Sequence, residues 1–258
     1  MAVTGIHYVI LRNLFERGVL SSGGALLELG EANWYGDLPP LKVLEDIQAL
    51  VKDPERRDAL VRRITEVVEH QTANSSFDIV KIYYELFFAP SEMQAIDFHG
   101  SETAQKLDLN GPITLNRRFD VVINNGTAEH IFNIGQVFRT MHDYTVPGGM
   151  MLHEGPFVGW IDHGFYTLQP TLFFDLAERN QYEICGMFVG KPGFETILQI
   201  RTRDDVHQLA KANRFPDNSL LFVYFRKNTQ DSPFEIPMQG YYREGLSDAG
   251  MAAWRALR

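Results

Sequence analysis

Residues 119–154, FDVVINNGTAEHIFNIGQVFRTMHDYTVPGGMMLHE, decide the fold, because they hold a strand, a loop, a helix, a turn and a second strand in a short run. Phe119, Val121, Val122 and Ile123 form a β-branched apolar stretch that stops at Asn124, Asn125 and Gly126, the pattern of a buried parallel strand ending in a loop. From Ala128 onward the apolar positions become Ile131, Ile134, Val137, Phe138 and Met141, spaced by three and four as on a helix lying against a sheet. Pro147, Gly148 and Gly149 then interrupt the chain before Met150, Met151 and Leu152 begin the next strand. The unit is β-α-β. Ligands of open α/β sheets bind beyond the carboxyl ends of the strands, which points to Asn125, Gly126, Glu129 and His130.

Upstream, residues 6–20 carry the apolar stripe of a short helix, and 25–30, ALLELG, read as a compact strand ending in glycine. The next strand does not follow at once. Residues 41–51, 54–70 and 77–88 read as helices, with Asp53 as cap and Pro54 at the first helical position of the second. The third is apolar enough to cover the sheet, whereas 37–76 form a helical insertion, either a lid over the site or a dimer-forming surface. Residues 93–97, MQAID, give the second strand and 107–109, LDL, a third. Downstream come a hydrophobic loop at 155–170, a helix at 170–180, a strand at 182–189, a helix at 204–212 and a closing strand at 220–225, LLFVYF.

Two stretches, FDVVINNGTAEH followed by VPGGMML, together with the acid and glycine of ALLELG, resemble class I S-adenosylmethionine-dependent methyltransferases. The resemblance spans roughly residues 25–226. It implies a Rossmann-like, seven-stranded, mostly parallel α/β sheet with helices on both faces, in a single domain over 1–258, and S-adenosylmethionine as cofactor. Carried over residue by residue, it places Glu28 and Gly30 at the first motif, Asp97 on the ribose diol, Phe98 beside it, Asp108 and Leu109 near the adenine, and Asn125 and Gly126 at the fourth strand end. Asp108, before Leu-Asn-Gly-Pro, reads equally as a turn former. The chain departs from the family at its first loop, where Glu31, Ala32, Asn33, Trp34 and Tyr35 precede Gly36 in place of further glycines. The variant resembles methyltransferases of polysaccharide and secondary-metabolite biosynthesis. It also motivates a second reading, a non-catalytic scaffold that keeps the sheet.

The chain has 258 residues, 45% of them hydrophobic, and a formal charge of -9, enough for one large core and contrary to a nucleic-acid partner. No apolar run is long enough to span a membrane, and the amino-terminal stretch is interrupted by Arg12, Glu16 and Arg17, unlike a secretory signal. With Cys185 as its one cysteine, the expected compartment is the reducing cytoplasm.

Methyl transfer needs two reactants held in line, and a base where the acceptor is a protonated hydroxyl or amine. Five of the eight histidines, His99, His130, His142, His153 and His163, fall between the second strand and the aromatic loop. His163, His130 and Glu129 are the catalytic candidates. Trp34, Tyr35, His153, Trp160 and Tyr166 are the candidates for holding a small-molecule acceptor, with His153 free to face either the core or the crevice. Glu129, His130, His153, Glu154, Asp162 and His163 are also metal-ligand types, but no H-E-x-x-H spacing is present, and the expected site holds no metal. G-x-S-x-G, G-x-x-x-x-G-K-[ST] and Cys-x-x-Cys are absent, which sets aside the common hydrolase, NTPase and redox assignments. The expected activity is methylation of an oxygen or nitrogen on a sugar or natural-product intermediate.

Overall fold

The computed structural model describes residues 2–193, 196–243, 248, 251, 252 and 255. Nine strands are described: β1 (Ala2–Val3), β2 (Ala25–Leu29), β3 (Asn33–Trp34), β4 (Glu92–Ile96), β5 (Phe119–Asn125), β6 (Thr145–Val158), β7 (Glu183–Gly190), β8 (Ile197–Gln199) and β9 (Ser219–Arg226). The helices are α1 (Gly5–Glu16), α2 (Pro40–Leu50), α3 (Pro54–Glu69), α4 (Ser75–Phe88), α5 (Ile134–Tyr144), α6 (Pro170–Asn180), α7 (Arg203–Lys211) and α8 (Gly240–Arg243), with a single 3-10 turn at Ala128–His130.

Seven strands form one sheet in the order β4-β2-β5-β6-β9-β7-β8. The first four run parallel, while β9 lies antiparallel between β6 and β7. The fold is Rossmann-like, as the sequence implied. Both faces are covered, which is why the central strands carry continuous apolar runs such as Val121–Ile123 and Met150–Leu152 that do not alternate with polar residues. One core, containing Leu26, Val121, Ile123, Met150 and Leu152, packs under α1 to α4; the other, containing Leu27, Val122, Met151 and Val223, packs under α5 to α7. From β2 the chain first crosses to β4 on one side, then to β5 on the other. The sheet's switch point therefore lies between the carboxyl ends of β2 and β5, where a crevice opens in such sheets.

Two expectations are corrected. Residues 107–109 form no strand: Asp108 accepts hydrogen bonds from Asn110 in a turn, and the edge of β4 is met only by an isolated bridge between Ile96 and Gln105. Pro147-Gly148-Gly149 does not separate helix from strand. Instead α5 passes directly into β6, and because Phe119 faces Thr145 while Val121 faces Met150, the intervening residues bulge out within the strand. The helices of the insertion at 37–76 pack onto the body of the fold. Val43, Ile47, Leu60 and Ile64 belong to the core under α1 and α4, and the buried Asp46 is held by the Tyr8 hydroxyl at 2.7 Å, Arg12 at 2.9 Å and Lys42 at 3.0 Å.

Candidate functional site

The carboxyl ends of β4, β2 and β5 are joined by short-range bonds that leave little freedom in the rim. Gly30 N donates to Ile96 O at 2.7 Å, and the Thr127 hydroxyl donates to Leu29 O at 2.5 Å. Asp97 stands one residue past β4, half-buried, accepting from Glu31 N at 3.0 Å and from His99 N at 2.7 Å. The loop after β2 is shaped from beneath by Glu28, which accepts from Ala32 N at 3.3 Å. Burial pushes the Glu28 carboxyl up to about 8. Glu31, standing where glycine was expected, turns its buried carboxylate toward β4. There it receives Ser101 N at 2.5 Å, the Ser101 hydroxyl at 2.9 Å and Lys81 at 3.3 Å. The loop ends as β3, which pairs in parallel with β1, so the amino-terminal strand is part of this wall.

Asn124 fixes the other side. Its carboxamide accepts from Thr127 N at 3.3 Å and Ala128 N at 2.9 Å, which sets the 3-10 turn over the end of β5 and lifts Glu129 and His130 onto the rim. The aromatic loop is tied to the same turn by Phe165 N donating to Glu129 O at 2.8 Å. Gly164 makes that approach feasible, since a Cβ there would lie 3.0 Å from Glu129 O and 3.2 Å from His130 Nδ1. His163 is thereby brought against His130, with 5.0 Å between ring centroids, and Trp160 lies 5.0 Å from His163 on its other side. Trp160 and Asp162 both hold left-handed backbone conformations, at φ 57° and 61°. Strain of this kind in bulky or charged residues gathers at sites that need a fixed loop shape.

These elements enclose a cavity of about 340 Å³ lined by Thr4, Tyr35, Gly126, Glu129, His130, Glu154, Trp160 and His163, among others. Glu129 is 1% exposed and its Oε2 has no protein partner; its Oε1 lies 4.0 Å from His130 Nε2 and 3.9 Å from His163 Nε2. Burial, with a smaller contribution from the charge of Glu154, pushes the Glu129 carboxyl up to about 7. Burial and the neighbouring His163 hold His130 below the ordinary imidazole range. Beneath the cavity, Glu154 Oε2 sits 3.0 Å from His7 Nδ1, an ion-pair contact whose angle falls short of a hydrogen bond. Both polar atoms of the Asn125 side chain and the hydroxyls of Thr4, Tyr83 and Tyr224 are likewise buried without a protein partner, while the Tyr84 hydroxyl is buried beside Glu28. Burial raises all three tyrosines well above the ordinary phenol range. The unpaired atoms of Thr4, Glu129 and Glu154, which line the cavity, call for water or a polar ligand.

The candidates read from the sequence divide accordingly. Gly126, Glu129, His130, His163, Tyr35 and Trp160 line the cavity; Glu28, Gly30, Asp97 and Asn125 form the adjoining rim, with Phe98 exposed beside Asp97. Five others lie elsewhere. His153 faces the opposite side of the sheet among Phe138, Phe173 and Phe225, where burial holds its imidazole down to about 3. Trp34 packs edge-on against Tyr8 and Tyr83 and donates to Leu38 O at 2.8 Å. Tyr166 donates to Phe132 O at 2.7 Å outside the cavity, and Leu109 is a core residue behind α5. Asp108 is an exposed turn residue. Thr4, His7 and the buried tyrosines were not legible as site residues, since His7, Tyr83 and Tyr84 sit inside apolar helical stripes, Tyr224 inside an apolar strand and Thr4 at the start of α1. No residue of 37–76 is among those that line this cavity.

No protein-family model matches the sequence, and no curated protein matches it. Several solved structures resemble it. The N-methyltransferase NodS from Bradyrhizobium japonicum WM9, in complex with S-adenosyl-L-homocysteine, is 12% identical over 86% of each chain with a TM-score of 0.42. An S-adenosylmethionine-dependent methyltransferase from Mesorhizobium loti is 14% identical over 84% of this chain and 100% of its own, at a TM-score of 0.41. The [4+2]-cyclase SpnF is 13% identical over 87% of this chain and 82% of its own, at 0.42. Identities this low and TM-scores below 0.5 transfer no activity and no residue role to this chain.

Proposed function

We propose that the protein is an S-adenosylmethionine-dependent methyltransferase acting on an oxygen or nitrogen of a small metabolite. The observation that carries the reading is Asp97 at the end of β4 beside the switch point, bonded to the loop after Gly30, with the unpartnered Asn125 amide across the rim and a polar cavity adjoining. The residues fit the adenosyl group. A carboxylate offers about four lone-pair sites, and the amides of Glu31 and His99 use two, leaving Asp97 able to accept from a ribose diol. The bound cofactor supplies an activated methyl group on a sulfonium. Gly30 and Gly126, at φ 84° and 71°, let the backbone pass close to a ligand on both sides of the crevice. Tyr35, Trp160 and the polar floor around Glu154 form the acceptor side, where apolar walls exclude water and a few polar groups orient the substrate. Glu129, His130 and His163 stand on that same side, where an acceptor proton would leave.

The second reading, a scaffold that binds no cofactor, is favoured by Glu31. Its buried carboxylate, held by Ser101 and Lys81, fills part of the rim between β2 and β4. Calorimetry with S-adenosylhomocysteine on the intact chain separates the two. Binding is expected, and Asp97→Ala should weaken it about 100-fold or more, since two hydrogen bonds to a charged group are each worth roughly 1.5–3 kcal/mol. Asp97→Asn, which keeps one acceptor, should fall between. No binding to the parent chain, or equal binding by Asp97→Ala, would overturn the methyl-transfer reading.

A further inference from the structure

We propose that Glu129 Oε1, His130 Nε2 and His163 Nε2 bind a single divalent transition-metal ion at the mouth of the cavity. The three atoms lie within 4.8 Å of one another. Ligands of a tetrahedral or octahedral ion with bonds of roughly 2.1 Å stand about 3.0–3.4 Å apart. The carboxylate-to-imidazole distances of 4.0 and 3.9 Å need a contraction of less than about 1 Å. The histidines can supply it. Their side chains are 43% and 40% exposed, which leaves space on the solvent side for a small rotation, whereas the Glu129 side chain, at 2%, is enclosed.

Glu129 provides the second, independent observation. A buried carboxylate normally has a cation or several hydrogen-bond donors, because desolvating the charge costs several kcal/mol. The Glu129 Oε2 has no hydrogen-bond partner, and Oε1 has the two imidazoles 4.0 and 3.9 Å away. Backbone geometry keeps the ligands together in the absence of an ion. The Phe165 amide bonded to Glu129 O, and the close approach allowed by Gly164, hold two separate chain segments at one point.

The donor set selects the ion. Two imidazoles and one carboxylate suit zinc, iron(II), cobalt or manganese, while magnesium and calcium favour all-oxygen shells. Three protein ligands leave at least one position open, the mark of a site that takes a substrate atom and not of a closed structural site. The open side faces the cavity, so the ligand class is a small molecule with a coordinating oxygen. The site stands on its own geometry; if the methyl-transfer reading also holds, a coordinated acceptor hydroxyl would lose its proton at lower pH.

The test uses the intact chain after dialysis against a chelator. Cobalt(II) is titrated while visible absorption is followed, and zinc is titrated by calorimetry. One equivalent should bind with the appearance of cobalt d–d bands. The His130→Ala/His163→Ala double variant should bind at least about tenfold more weakly, because removing even a partner behind a metal ligand costs 10–100-fold. His70→Ala should match the parent. Glu129→Gln gives a second route that leaves both histidines in place, and melting curves in chelator confirm that each variant is folded. No binding by the parent chain, or unchanged binding by the double variant, would overturn the site. S-adenosylhomocysteine affinity measured on the same samples reports separately on methyl transfer, so either idea can fail without the other.

Discussion

Glu28 lies fully inside the protein beneath the rim, and burial pushes its carboxyl from 4.5 up to about 8. The folded chain therefore favours the protonated form. Between these two values the unfolded chain carries Glu28 ionised while the folded chain holds the proton, so folding takes up a proton and stability falls as pH rises. Each pH unit in that window is worth about 1.4 kcal/mol, which sets an upper limit on the order of 4–5 kcal/mol at and above pH 8. Water entry and local relaxation reduce this to roughly 2–4 kcal/mol. Glu28→Gln keeps the shape and the oxygen that accepts from Ala32 N but removes the titration. The variant should match the parent near pH 4.5 to 5 and exceed it progressively toward pH 8.5. In a chain of this size the gap corresponds to roughly 5–15 °C in melting temperature. Urea titrations of both proteins at pH 5, 7 and 8.5 provide the measurement, and titrations elsewhere cancel in the difference. A gap that stays constant with pH, or a variant weaker than the parent at pH 8.5, would refute the reasoning.

Other consequences follow from single contacts. Ile47→Ala, at a fully buried position in the insertion, should cost about 2–5 kcal/mol while leaving S-adenosylhomocysteine affinity below the melting range unchanged; a lid residue would show the reverse in calorimetry and melting curves. Gly24→Ala should cost roughly 2–4 kcal/mol in urea midpoint, because φ is +75° and the new Cβ would meet Asp120 Oδ2 at 2.1 Å, displacing the oxygen that accepts from Ala25 N. Lys81→Met should destabilise by about 1–3 kcal/mol, by leaving the Glu31 carboxylate without its cation. Adding Glu31→Gln should recover most of that loss, and strict additivity in the double-mutant cycle would show that the pair is not coupled.

The sheet was readable because its strands are buried on both faces and its helices are marked at their starts. Asp53 accepts from Arg56 N at 2.7 Å as the cap of α3, and Pro170 opens α6 where a proline costs nothing. What failed was local. Asp108 had a turn reading and a strand reading and proved a turn, while Pro147-Gly148-Gly149 read as a break and is carried within β6 by long-range pairing. Adjacent His153 and Glu154 point to opposite faces of β6, and which one faces the cavity depends on a one-residue parity that sequence alone does not supply. The approach of His163 to Glu129 depends on Gly164 and on a backbone bond across more than thirty residues, and neither leaves a periodic trace.

The position of β9 between β6 and β7 governs how this chain can be made. Every other strand of the sheet emerges before Ser219, so on the ribosome the sheet waits with a slot between two unfinished edges, each offering free amides and carbonyls. At 5–20 residues per second the wait after Gly190 lasts on the order of seconds. Nascent chains halted within that window should be prone to chaperone capture and to pairing with one another, and synthesis of LLFVYF is the step that ends the exposure.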